Sequence, residues 1–207
     1  RVDYFAAFSH FDTDNDVPNN AYQRRTFATR FGVAAGSSTD VSAVFRAGAS
    51  RTGLPNSIAF YGIADDSTKR ANAQMFSLAA DTRVSPRMKT VLRYAVLHSD
   101  YHLNNPAPTG EYADPFGYGG NYLGNPVTIT GANGYSVSGR AILDYAGAYP
   151  EPFDSTTTRH VVSGQASYRL RPAVSLAAGA RVEHESGVTQ SSFDDPQSPP
   201  RTTRNNA

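Results

Sequence analysis

Asp12, Asp14 and Asp16 sit at alternate positions in the stretch FDTDNDVPNN, and they are the first residues of the chain whose type and spacing suggest chemistry. Hard cations such as calcium need several carboxylate or carbonyl oxygens, and alternate aspartates open an oxygen-ligand loop. The rest of that loop is missing: the sixth position from Asp12 is Val17 where glycine is required, and the twelfth is Gln23 where glutamate is required. A solvated, turn-forming loop is therefore the favoured reading, with calcium second. His98, Asp100 and His102 also alternate, so an extended backbone brings them to one side with groups able to hold a transition metal. No further ligand accompanies them. Histidine beside Tyr94 and Tyr101, at a boundary between apolar and wet surroundings, is the plainer account.

Enzyme chemistry has little to stand on. Ser9-His10 and the scattered acids form no nucleophile elbow and no zinc-protease helix motif. Glu183 and Glu185 alternate on one strand face, but solvation at a strand end explains them, and no catalytic activity is expected. Tyr112, Phe116, Tyr118 and Tyr122 stand among glycines in TGEYADPFGYGGNYLGNP. Aromatic rings offer large, rigid contact area at small rotamer cost, which suits capture of a bulky ligand; packing of the loop on itself is the equal alternative.

The elements that must position these residues have a period of two. Of 207 residues, 17 are Gly, 13 Pro, 12 Tyr and 11 Phe, a mixture of pleated-surface formers and turn formers that points to an all-β chain. The absence of cysteine removes disulfides and thiolate metal sites, and a net charge of +1 gives no bulk attraction for nucleic acid. Alternation predicts about seven strands, over residues 2–11, 22–35, 41–50, 72–84, 89–99, 159–170 and 173–185. In the second, Arg24 and Arg30 oppose Phe27 and Phe31; in the third, Arg46 opposes Phe45 and Ala47; later strands place Arg93, Arg169 and Arg181 on the polar side.

Connection lengths give the pattern a direction. GSSTD, SPR and Arg171-Pro172 are short, whereas residues 12–21, 51–70 and 100–158 are long. Short turns at one end of an antiparallel meander and long loops at the other describe an up-and-down transmembrane β-barrel, and the strands reach the roughly 9 to 11 residues that a tilted crossing needs. In such a wall the arginines must face a wet lumen, since each costs about 2–4 kcal/mol against lipid at the midplane. Within residues 100–158, read as a long extracellular loop region, Asn133-Gly134 predicts a two-residue hairpin turn. Residues 109–126 read as an irregular cap, and the C-terminal SSFDDPQSPPRTTRNNA as a polar loop without a strand.

FDTDND followed by VPNNAYQRRTFATRFG, GLPNSIAFYGI at 53–63 and GANGYSVSGRAILDYAG at 131–147 resemble the TonB-dependent outer-membrane receptors, in their cobalamin-transporter-like branch. The resemblance covers most of the chain and implies that residues 1–207 are a mid-barrel part of such a receptor, without its plug or TonB box. It further implies the bacterial outer membrane as location, and energised uptake of a scarce, bulky nutrient, cobalamin or an iron chelate. The implied partners are the lipid bilayer, the receptor's own plug and, through it, the TonB energy-transducing complex. Acidic external loops that bind calcium belong to that branch, which is the one argument for calcium at Asp12, Asp14 and Asp16; no other cofactor is expected. Arg24, Arg30, Arg46, Arg93, Arg169 and Arg181 would then touch the plug, line a water-filled path or pair with acids such as Asp81 and Glu183. The competing reading, from a different class, is a secreted or cell-surface β-sandwich binding carbohydrate or a protein partner through loops at one end. The two differ in one respect: the aromatic side chains form an open belt on one sheet in the first and are buried between two sheets in the second.

Overall fold

The computed structural model describes residues 1–55, 67–104, 121–144, 152–191, 194 and 198–206. The chain runs as β1 (Val2–Thr13), β2 (Tyr22–Ala35), β3 (Thr39–Gly53), β4 (Thr68–Ser85), β5 (Met88–Asn104), β6 (Asn121–Thr130), β7 (Ser136–Asp144), β8 (Phe153–Arg171), β9 (Val174–Ser191) and β10 (Arg201–Asn206). An open, antiparallel, up-and-down sheet of eight strands has the order β1-β2-β3-β4-β5-β8-β9-β10, and β6 and β7 form a separate two-stranded ribbon. Its strands reach 19 residues in β8, well beyond the typical 5 to 6 of a globular sheet.

The predicted side-chain parity holds along the seven expected strands, with apolar residues dominating one pleat face; the other face takes most of the Ser and Arg but also Phe5, Phe11, Val91 and Leu97. Register joins the apolar positions into rows. One row reads Tyr4, Phe31, Ala43, Leu78, Tyr94, Val162 and Val182 across β1 to β9. Rings meet within this face: Phe27 lies 6.2 Å from Phe45, and Tyr94 stacks on His160 at 6.2 Å. Nothing covers it among the described residues; Tyr4 is 84% exposed and Phe8 68%.

Four expectations need correction. The C-terminal segment is not wholly loop: Arg201–Asn206 forms β10 on the edge of β9. Its RTTRNN has no apolar alternation to announce it, and backbone pairing with an exposed edge supplies the order instead. Residues 121–126 belong to β6 rather than to an irregular cap. The long connection is shorter than read from sequence, since β5 continues to Asn104 and β8 begins at Phe153. Finally, Asn133-Gly134 does not make a two-residue turn. Thr130 pairs with Ser136, and the loop between them is closed by Gly134 N donating to Gly131 O at 2.9 Å and Gly131 N donating to Tyr135 O at 2.8 Å. Gly134 takes φ 80°, which is the left-handed conformation that glycine adopts without strain.

The hairpin turns step along the strands. β2 and β3 turn at the pair Ala35–Thr39, whose row continues through Thr82, Thr90, Ala166 and Ala178. β4 and β5 run on past that row to Ser85 and Met88, and β8 and β9 further still to Arg171 and Val174. At the other end β1 to β5, β8 and β9 stop together, on the row Tyr22, Thr52, Lys69, Leu103, Phe153 and Ser191 or within a residue of it, while β10 ends at Arg201, opposite Val188.

Candidate functional site

The two faces of the sheet differ in charge. Between the short turns and the row of Phe45, Phe76 and Val96, which itself ends in His160 and His184, the apolar face carries no Asp, Glu, Lys, Arg or His. Two of the hydroxyl bonds on or below that row are local: Thr29 Oγ1 donates to Phe5 O at 2.9 Å, and Thr39 and Thr82 share a hydroxyl bond of 3.2 Å. The opposite face over the same stretch holds Asp3, Arg30, Asp40, Asp81, Arg83, Lys89, Arg93, Arg169, Arg181 and Glu183 among its charges.

Every predicted arginine lies on that polar face. Arg30 pairs with Asp3 across β1 and β2, and Arg181 donates to Glu183 at 2.7 Å. Arg24, Arg46, Arg93 and Arg169 are exposed and make no side-chain ion pair among the described residues. Of the acids offered as partners, Glu183 is the one that Arg181 meets. Asp81 instead stands opposite Asp40, a like-charge pair that β-ladder geometry disfavours unless water or a cation-bearing partner screens it. Arg159, which the sequence did not single out, bridges Glu185 at 2.6 Å and Glu183 at 3.6 Å. This gives Glu183 and Glu185 an ion-pair role. The signal that could have found it is cross-strand: Arg159 and Glu185 are register partners.

Gly32 shows how tightly this face is fitted. A Cβ there would come within 2.6 Å of the Asp3 carboxylate, so glycine leaves room for the carboxylate that holds Arg30.

The acidic stretch is ordered by its asparagines. Asn15 and Asn19 take φ 55° and 54°, a left-handed conformation that Asn tolerates better than most residues. Asn19 Nδ2 donates to Leu54 O at 3.0 Å and to Ser67 O at 2.8 Å, tying the β1–β2 loop to the ends of β3 and β4. Asp12 lies in β1 and accepts from Gln23 Nε2 at 3.1 Å, while Asp14 and Asp16 follow in the loop. Among the described residues no group of three or more His, Asp or Glu is arranged to hold a metal ion.

His98, Asp100 and His102 do share one side, the upper end of the apolar face. Each is engaged across β5 and β8: His98 Nδ1 with Thr158 Oγ1 at 2.9 Å, Asp100 accepting from Thr156 Oγ1 at 3.0 Å, and His102 Nδ1 with Asp154 at 2.5 Å. Tyr94 OH and His160 Nδ1, 2.9 Å apart, continue the ladder downward. Of the aromatic candidates, Tyr112, Phe116 and Tyr118 lie outside the described residues, and Tyr122 is placed by its backbone, opposite Leu143 in β6.

A scan against protein-family models and a search of curated proteins both find no match for this chain.

Proposed function

We propose that this chain is a stretch of wall and outer loops from a TonB-dependent outer-membrane receptor, serving energised uptake of a bulky nutrient such as cobalamin or an iron chelate. The observation that supports it is the slope of the charge-free face. Counted as the last position before a charged residue or histidine, its upper limit is Phe8 and Phe27 on β1 and β2 and Ala49 and Asn72 on β3 and β4, and from there it falls to Val96 on β5 and to Val162 and Val182 on β8 and β9. The short turns descend in the same direction. Strands that cross a layer at a tilt need this stagger, because a level boundary cuts each successive strand at a different residue. From β4 to β9 the band steps down with the turns, which a water-exposed sheet has no reason to do.

Long loops then lie outside and short turns at the periplasm. The polar face looks into the lumen, where Arg24, Arg46, Arg93 and Arg169, together with Asp40 and Asp81, meet a plug or a hydrated path. The open edges β1 and β10 join further strands, since an unpaired ladder is not tolerated in hydrocarbon. The β-sandwich reading requires a second sheet over the Phe27–Phe45 face, and none of the described residues supplies one.

The test uses the full-length protein in cells. Labelled cobalamin and ferric chelates are offered with and without a protonophore. Accumulation of one of them, abolished when the inner membrane is de-energised, is the expected outcome. Uptake that persists without energy would make the protein a passive pore, and a monodisperse, detergent-free preparation would remove it from the membrane.

A further inference from the structure

His160 and His184 face one another across β8 and β9 as register partners, in the first row above Val162 and Val182. Each ring is held on its outer flank by a neighbouring strand. His160 Nδ1 lies 2.9 Å from Tyr94 OH on β5, and His160 also stacks on that tyrosine; His184 Nδ1 lies 2.7 Å from Asn205 Oδ1 on β10. An amide oxygen only accepts, so His184 carries its hydrogen on Nδ1 and a lone pair on Nε2. The tyrosine hydroxyl can accept from His160 in the same way. Neither Nε2 has a hydrogen-bond or ion-pair partner among the described residues.

A ligating histidine has this form: one ring nitrogen is fixed by a hydrogen bond and the other keeps its lone pair for the metal. Facing residues on a ladder have Cβ atoms about 4.5–5.5 Å apart. An ion about 2.0–2.1 Å from each nitrogen can bridge two rings at that spacing. The surroundings select the kind of ion. On this face the neighbours along β8 and β9 are Thr158 and Ser186 above and Val162 and Val182 below. With no carboxylate among them, a hard cation such as calcium lacks its oxygen ligands. With no ammonium or guanidinium among them, nothing repels a cation. Imidazole suits zinc, nickel(II) and copper(II), and copper(II) is held most tightly of these. His184 is exposed and His160 half-buried, so water can reach the remaining coordination positions. His98 is no competitor, because both its nitrogens are engaged, by Thr158 and by Asp100.

We infer that His160 and His184 form a two-histidine chelate for a divalent transition-metal ion, with Tyr94 and Asn205 fixing the rings and water completing the coordination. Two protein ligands are the whole set, since among the described residues no group of three or more is arranged around an ion. The site needs only the register of β8 on β9 and so stands apart from the membrane reading above.

The test takes the full-length protein in detergent, strips it with a chelator and titrates it with copper(II) or zinc alone. Wild type should bind one equivalent that His160→Gln/His184→Gln does not, and electron paramagnetic resonance of that copper should show two nitrogen ligands. Either single variant should weaken the site at least as much as loss of a ring-fixing partner does, about 10–100-fold. Asn205→Leu should fall within that range with the stoichiometry kept, as expected of a positioning residue. His98→Gln/His102→Gln should leave binding unchanged. Equal binding by wild type and the His160/His184 double variant overturns the site, and loss in the His98/His102 variant instead moves the metal along β5 and overturns this assignment. Should the Gln variants fail to fold, wild type alone decides. Zinc should slow modification of His160 and His184 by diethylpyrocarbonate, read by mass spectrometry of the digested protein, and unchanged rates at both rings overturn the chelate.

Discussion

Leu78 and Ser77 are adjacent in β4 and point to opposite faces, so they offer a paired experiment on which side meets lipid. Leu78→Arg puts a cation in the middle of the charge-free face and should destabilise the full-length protein by about 2–4 kcal/mol in bilayers. Ser77→Arg joins Arg30 and Arg46 on the polar face and should change stability little. Guanidinium titration of vesicle-inserted protein reads both, and equal effects would contradict the assignment of faces. Side-chain parity of this kind was legible from sequence, since a period of two needs only local spacing. The facing of His160 by His184 was not, since it exists only once β8 and β9 are in register.

At the scale of elements, the loops at the long-loop end are organised by Asn19, which reaches Leu54 and Ser67 and so fastens the β1–β2 connection to the β3–β4 pair. Asn19→Ala removes both bonds and also places a residue less tolerant of positive φ at that position. Asn19→Gly removes the bonds but relieves the backbone. Hydrogen exchange at the amides of Gly53 and Leu54, which donate to Ala21 O and Ser67 O, is expected to quicken in both variants, more in the alanine one. Protection equal to wild type would show that Asn19 is not the fastener. Gly53→Ala attacks the same junction from the other side, because its Cβ would sit 2.5 Å from Asn19 O; the same amides should lose protection. The sequence showed paired asparagines and a turn here, but not what they hold. Their acceptors are 35 and 48 residues away, beyond the reach of local pattern. β10 escaped for the opposite reason: its strand character comes from the β9 edge it pairs with, not from its own side chains.

On the scale of the whole molecule, the sheet has an apolar face that none of the described residues covers and a polar face rich in charge, which fits the proposed boundary between hydrocarbon and water better than a buried core. The full-length protein is therefore expected to need detergent, and to withstand protease over the belt while being cut in its loops when presented in vesicles. Cleavage within β4 or β5 under those conditions would count against a bilayer-spanning wall. How many strands complete the wall is not a question that periodicity addresses, and the same holds for the ligand, since Tyr112, Phe116 and Tyr118 carry no geometry that ranks one nutrient over another.

On the proposed membrane reading, the level tips of β1 to β5, β8 and β9 would have an architectural effect, because the charge-free face ends lower on β8 and β9 than on β1 and β2. Measured from a bilayer surface, β8 and β9 would rise higher than β1 and β2, making a lopsided rampart. A large solute drifting in from the medium would then meet a tall shoulder beside Phe153 and Ser191 and a low sill beside Thr13 and Tyr22. Entry over the sill would bring it first to the Asn19 fastening, on the loop with the acidic residues.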